Sequence, residues 1–306
     1  MRKLFLILSI ITFNLSVLGQ KELLRFNLTP GQIYYHSMQS SSTIKQQING
    51  QNVDMDITIS GKVGFEVVNY TDSTYKMNAS YKKLTMAMTL PNGKMEFNSD
   101  KKDQGDIFST ILSALKDKQF TIQMTRVGKI IEVKNLDTIF ENLLNQFPKL
   151  TSEQKQQFKG QLMQAYGEKA FRGSYEMVTA IYSNSVVEKG DTWNITTQLE
   201  SGMAATLTTT FEFKDKTENY NLLVGNGKIS TLDKDAYNQI NGMPTRYDLT
   251  GTMNSTIKVD TKSGWIIEGK ITQLFTGKVE IKDNQKLPGG MTIPMSVESE
   301  INYTSK

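Results

Sequence analysis

Apolar and polar residues alternate over long stretches of this chain. Val53, Met55, Ile57, Ile59, Val63, Phe65 and Val67 share one parity; Asn52, Asp54, Asp56, Thr58, Ser60, Lys62 and Glu66 share the other. Successive strand side chains point to opposite faces, so the pattern predicts a β-strand with one dry and one wet face. Tyr247, Leu249, Met253, Ile257 and Val259 repeat it, as do Trp265, Ile267, Ile271, Phe275, Val279 and Ile281. Asp260-Thr261-Lys262-Ser263-Gly264 joins those two runs as a hairpin loop, with Gly264 free to take positive φ. Asn49-Gly50, Asn92-Gly93 and Asn226-Gly227 read as two-residue hairpin turns. The run from 53 to 67 would reach roughly 50 Å if extended, far beyond an ordinary strand, which points to a twisted or curling sheet. Near Lys82-Lys83 the apolar positions move from odd (Tyr75, Met77, Ala79, Tyr81) to even (Leu84, Met86, Met88, Leu90), the mark of a bulge.

In the middle of the chain the period changes. Ile139, Phe140, Leu143, Leu144 and Phe147 fall at helical spacing, with Asp137 as the expected N-cap and Pro148 ending the run. Thr151-Ser152-Glu153-Gln154 fits a capping box, and Phe158, Leu162, Met163 and Tyr166 mark the amphipathic helix behind it. Asp106 to Leu115 is a shorter helical candidate, and Phe171 to Tyr182 reads either way.

Three local patterns recur in the same order. Leu28-Thr29-Pro30-Gly31-Gln32-Ile33-Tyr34 matches Val187-Glu188-Lys189-Gly190-Asp191-Thr192-Trp193. Phe65-Glu66 with Thr71 and Tyr75 matches Phe211-Glu212 with Thr217 and Tyr220, and Gly128-Lys129-Ile130-Ile131-Glu132 matches Gly264-Trp265-Ile266-Ile267-Glu268. Either the chain is internally duplicated, or antiparallel sheets reuse one turn chemistry. The expected fold is α+β and mainly antiparallel β. Two related β-rich halves form a large curved sheet or half-barrel, with a central helical segment packed against it. The divisions are a leader over 1–19, a first half over 20–135, the helical segment over 136–182 and a second half over 183–306, the last three in one compact domain.

The first residues change the picture of where the protein works. Arg2 and Lys3 precede a nearly unbroken apolar run from Leu4 to Leu18, and Val17-Leu18-Gly19 suits a signal peptidase. Cleavage before Gln20 is expected, giving a periplasmic or secreted protein. That run is too short, and interrupted by Asn14, for a membrane-spanning helix. Without Arg2 and Lys3 the 35 basic residues fall to 33 and nearly balance the 31 acidic ones, so no electrostatic pull on nucleic acid is expected. With no cysteine there is no thiol chemistry, thiolate metal site or lipid attachment at a mature N-terminal cysteine.

The sequence offers little for catalysis. His36 is the one histidine, and its neighbour Ser37 points to the opposite face of a strand, so the two do not form a nucleophile–base pair. Asp54 with Asp56, and Asp233 with Asp235, are paired acids outside any calcium-loop pattern and read as solvated surface. Gly264-Trp265-Ile266-Ile267-Glu268-Gly269-Lys270 follows the phosphate-loop spacing until Ile271 replaces the hydroxyl residue, inside a strand pattern. No catalytic residue, cofactor or metal is therefore expected. Methionine is the richer signal. Of 15 methionines, many fall on dry strand positions. Met55, Met77, Met86, Met88, Met124, Met203 and Met253 form a candidate apolar ligand face, because flexible thioethers accommodate varied greasy partners. The alternative is that they fill a core between sheet and helices.

The Leu28-x-x-Gly31-x-x-Tyr34 opening, the stretch from Gly128 to Asp137 and the Gly190-x-x-Trp193 pattern resemble a family of secreted proteins common in Bacteroidota-type Gram-negative bacteria. That family is catalogued only as a domain of unknown function, so the resemblance implies a fold and no activity. A looser, architectural likeness is to periplasmic lipoprotein carriers, in which helices cap an unclosed half-barrel. Three readings follow: a non-enzymatic exported protein that binds a lipid or other hydrophobic small molecule, a cell-envelope interaction or scaffolding module meeting another protein, and an outer-membrane β-barrel.

Overall fold

The computed structural model describes residues 21–101, 106–148, 150–199, 204–240 and 242–306. The expected leader and Met203 lie outside them. A first meander comprises β1 (Ile33–Ile48), β2 (Gln51–Tyr70), β3 (Thr74–Leu90) and β4 (Gly93–Asn98), followed by α1 (Ile107–Leu115), β5 (Gln119–Thr125) and β6 (Ile130–Lys134). Three helices follow: α2 (Leu136–Asn145), α3 (Ser152–Tyr166) and α4 (Glu168–Thr179). The second meander is β7 (Thr192–Leu199), β8 (Ala205–Lys216), β9 (Tyr220–Thr231), β10 (Asn238–Ile240), β11 (Met243–Asp260), β12 (Ile266–Ile281) and β13 (Met291–Thr304).

All strands among the described residues join one antiparallel sheet of 13, in the order β6-β5-β3-β2-β1-β13-β12-β11-β9-β8-β7, with β4 beside β3 and β10 beside β11. The sheet is open: β6 and β7 are its edges. An outer-membrane barrel must close, because unpaired edge amides are not tolerated in hydrocarbon, so this architecture does not fit that reading.

The sheet nonetheless curls strongly. Eleven neighbouring strands laid flat would span about 48 Å, whereas α4 is about 18 Å long. Yet α4 packs on both edge strands. The sheet therefore wraps around α4, and the helices occupy its inner face.

The two halves repeat each other in strand order, β6-β5-β3-β2-β1 against β12-β11-β9-β8-β7, with β13 at the seam. They also repeat hydrogen bonds. Gly31 N donates to Val67 O and Gly190 N to Phe213 O, both over 2.8 Å, and both glycines have positive φ. The β2–β3 register slips between Val67 and Asn69; the β8–β9 register slips between Phe213 and Asp215. The following turns match too. Thr71 N donates to Thr74 O over 2.8 Å and Thr217 N to Tyr220 O over 2.9 Å, while each threonine hydroxyl accepts the return amide at 3.1 Å.

An extended N-terminal segment ties these halves together. Phe26 N donates to Arg126 O and Asn27 N to Ser263 O, beside the equivalent glycines Gly128 and Gly264. Phe26 is fully buried, with its ring 5.1 Å from Tyr182 and 5.8 Å from Trp265. Burying a side chain of this size contributes roughly 1.5–3 kcal/mol, so the segment is anchored into the core that both halves share.

Most local expectations hold, including the Asn49-Gly50 hairpin, the slip between Lys62 and Val63 opposite Lys83 and Tyr81, and the Thr151–Gln154 capping box. Two do not. Asn226-Gly227 lies in the middle of β9, because a Cβ on Gly227 would sit 2.8 Å from Leu207 and 3.3 Å from Met253; crowding on the inner face, not a turn, selects glycine. Asp137 is not the N-cap of α2, which begins at left-handed Asn135. Its carboxylate instead accepts from Glu168 N over 3.1 Å, capping the start of α4.

Candidate functional site

The first turn of α4 follows a tight corner. A Cβ on Gly167 would come within 2.5 Å of Met163 O, so glycine lets α3 and α4 approach closely. From there α4 crosses the inner face of the sheet, with different chemistry on its two sides.

Toward β6, α4 is polar and satisfied. Glu176 is buried, and its carboxylate accepts from Ile130 N over 2.7 Å; Arg172 donates to Ile131 O over 2.7 Å, and the Thr179 hydroxyl to Gly128 O over 2.8 Å. These side chains occupy edge-strand groups that would otherwise recruit another strand. Beyond its C-terminus, Ile181 O accepts from the Trp193 indole of β7 over 3.0 Å.

Toward the middle of the sheet, α4 is aromatic. Phe171 and Tyr175 stack with centroids 4.3 Å apart; Phe171 meets Phe120 edge-on at 5.0 Å, and Tyr175 meets Phe65 at 5.4 Å. His36 lies under this layer, stacked on Tyr303 at 4.8 Å and 5.8 Å from Tyr175. It is 1% exposed, and neither ring nitrogen has a hydrogen-bond partner among the described residues. Burial lowers its pKa from 6.5 to about 3, so the imidazole is neutral.

Past this layer the helices stop while the strands continue, and two adjoining cavities remain. The first, about 270 Å³, lies between Met38, Ile59, Leu84 and Met86 of the sheet and Phe171 and Tyr175 of α4. The second, also about 270 Å³, lies between Ser42, Gln273, Phe275 and Ser299 of the sheet and Met177 of α4. They share Met38, Ile59 and the exposed Ser174, so they form one trough open to solvent. Its combined size falls within the usual range for small-molecule sites, roughly 300–1,000 Å³.

Among the described residues, no Asp, Glu, Lys or Arg lines either cavity. The phenols present stay protonated: burial raises Tyr303 and Tyr81, the latter with help from Tyr166, and pushes Tyr166 up to about 12. The trough is thus apolar and uncharged. A larger hollow of about 640 Å³ lies on the outer face, lined by Ser41, Thr43, Asp56, Thr58, Glu298 and Glu300. Two of its three acids are engaged, Asp56 accepting from Thr43 over 2.7 Å and Glu300 paired with Lys270 over 2.8 Å, and Glu298 is exposed, so it reads as solvated surface. No group of three or more His, Cys, Asp and Glu suited to a metal occurs among the described residues.

The predicted methionine face divides. Met77, Met124 and Met253 are at most 2% exposed and fill the core. Met55, Met86 and Met88 are half-buried on the inner face beyond α4, and Met86 lines the trough. Met38, Met177, Ser42, Ser299 and Gln273 were not singled out from the sequence. The available signal was Ser40 and Ser42, which break the apolar rhythm of Tyr34, His36, Met38 and Ile44 at positions that should be dry.

Comparison with solved structures gives a likeness to lipovitellin, in a structure of its lipid–protein interactions. The TM-score is 0.51 at 10% identity, with 92% of this chain and 25% of that chain covered. This chain therefore spans about a quarter of the other's length, and at that identity the likeness speaks for the fold alone. Further matches are an outer membrane channel from Pseudomonas putida F1 (TM-score 0.23, 9% identity, 90% of this chain, 97% of the other) and a domain of the outer-membrane lipoprotein-sorting kind from Vibrio parahaemolyticus (0.12, 8%, 87% and 83%). At those scores neither bears on the argument. None of the curated proteins compared matches the chain. A family model does match, over residues 72–266, more than half of the sequence and including β3 to β6, all three central helices and β7 to β11. The chain belongs to the Family of unknown function (DUF6263).

Proposed function

We propose that this protein is an exported, non-enzymatic binder of a hydrophobic small molecule, a lipid above all, held in the trough between α4 and the sheet. The observation that carries this reading is the pair of adjoining, uncharged cavities of about 270 Å³ each, open at Ser174. A close-packed interior leaves few voids larger than a water molecule. Space of this size on an apolar floor suits a greasy occupant, and half-buried Met38, Met86 and Met177 can re-pack around one. The fold shared with lipovitellin, whose structure concerns lipid–protein interactions, is compatible with such a role. The signal-like sequence from Arg2 to Gly19 supports action in the periplasm or outside the cell.

The test combines native mass spectrometry of protein purified from the periplasm with displacement of an environment-sensitive naphthylamine probe. The expected result is a discrete added mass released as lipid by solvent extraction, and probe binding lost in Ile59→Glu and Met86→Glu. Folded protein that carries no adduct and takes up no probe would overturn the reading.

A further inference from the structure

The floor of the trough has one polar row. Ser42 of β1 faces Ser299 of β13 across the seam, with hydroxyl oxygens 2.7 Å apart, and Ser299 faces Gln273 of β12. The rows on either side are largely apolar: Ile59, Ile301 and Ile271 flank Ser40 on one side, and Met55, Ile44, Val297 and Phe275 lie on the other. Ser42, Ser299 and Gln273 are half-buried, so water in the open trough can serve them, and a ligand that covers them must replace that water with polar atoms of its own. Within the protein the row keeps donors to spare. The Gln273 amide donates to the Met177 sulfur over 3.2 Å, and a thioether is a weak acceptor. Only one of the two serine hydroxyls can donate within the Ser42–Ser299 pair, which leaves the other O–H for a further acceptor.

This rests on the trough being a ligand site, and we propose that its ligand is a neutral lipid bearing a hydroxyl or ester oxygen, an acylglycerol or long-chain alcohol, with that oxygen set against Ser42, Ser299 and Gln273. Two observations converge on that class. The row offers O–H and N–H donors to an oxygen acceptor, and the apolar rows on both sides accommodate hydrocarbon. Among the described residues no cation lines either cavity, so the carboxylate of a free fatty acid would be desolvated without a partner. The neighbouring titratable groups are the neutral His36 and the protonated Tyr81, Tyr166, Tyr175 and Tyr303, none of which supplies a positive charge.

The experiment measures displacement of the naphthylamine probe by monopalmitoylglycerol, hexadecanol and palmitate at pH 8, where the fatty acid is ionised. The wild-type protein is compared with Ser42→Ala/Ser299→Ala and with Gln273→Leu. The expected result is that the glycerol ester and the alcohol compete about tenfold more tightly than palmitate, and that this advantage shrinks to about threefold or less in the variants while probe binding is kept. Palmitate competing as well as the neutral lipids would overturn this inference and leave the trough as a lipid site. Retention of the full advantage in both variants would remove the polar row from it. Absence of both probe binding and a bound lipid in folded wild-type protein would instead sink the ligand-site reading itself.

Discussion

Gly128 and Thr179 meet so closely that a Cβ on the glycine would lie 1.7 Å from the Thr179 carbonyl oxygen. The contact fixes the C-terminus of α4 against the turn after β5, and with it the angle at which α4 crosses the sheet. Gly128 also has φ of +91°, a conformation that L side chains rarely adopt. Gly128→Ala should therefore cost at least about 3 kcal/mol, combining backbone strain with a clash that backbone atoms cannot avoid. Gly160, in α3, provides the control. Nothing lies within 4 Å of its added Cβ, so Gly160→Ala should stabilise by roughly 0.5–1 kcal/mol. Urea unfolding of both variants checks the contrast, and equal effects would contradict it.

The buried imidazole of His36 makes stability depend on acid. Its folded pKa, about 3, lies below the ordinary 6.5, so the unfolded chain takes up the proton first as pH falls. The contribution is thus fully present above pH 6.5 and is lost progressively down to about pH 3. The full loss across that window is on the order of 5 kcal/mol. His36→Phe keeps a ring against Tyr303 without a titrating group. The difference in urea midpoint between pH 7 and pH 4.5 should be clearly smaller in that variant than in the wild type, and an unchanged difference would assign the acid sensitivity elsewhere.

Glu176 holds the edge strand β6 through the Ile130 amide. Glu176→Ala leaves that buried amide without its carboxylate acceptor and should cost roughly 1.5–3 kcal/mol, whereas Glu176→Gln, which keeps an acceptor oxygen, should cost less. Hydrogen exchange at Ile130 is the local readout: it should accelerate strongly in the alanine variant and modestly in the glutamine one. Uniform acceleration across the sheet would mean that the loss is global.

Ser174 sits exposed where the two cavities join. Ser174→Trp should fill the junction and weaken probe binding more than about tenfold, while stability stays within roughly 0.5 kcal/mol because no buried contact is lost. Full probe binding in this variant would place the bound probe outside the trough.

Strands and their faces were legible because a period of two is written directly in the residues from Val53 to Val67 and from Tyr247 to Val259. The bulge beside Lys83 was legible for the same reason, as a change of phase. Misreadings arose where a residue answers to a distant partner. Gly227 looks like a turn residue, but its smallness serves Leu207 and Met253 on neighbouring strands. Asp137 looks like the cap of its own helix, but it caps α4. The trough was only half legible for a similar reason. Methionines on the inner face could be named, yet where α4 crosses decides which are core and which line space. Met77 and Met86 have the same sequence signature, and only the second reaches the trough.

The pairing of β1 with β13 has a consequence for how the molecule assembles. Ser42 and Ser299 touch across that seam, although 257 residues separate them in the chain. Contacts between such distant segments form late, since the entropy of closing the intervening loop comes first. Until β13 slots in, β1 and β12 present facing unpaired edges of 16 residues each, the kind of surface that captures stray strands and seeds aggregates. The same seam is the floor of the trough. Binding competence therefore arrives with the final step of folding, and an occupant, by mass action, would act as a clasp on the last joint to close.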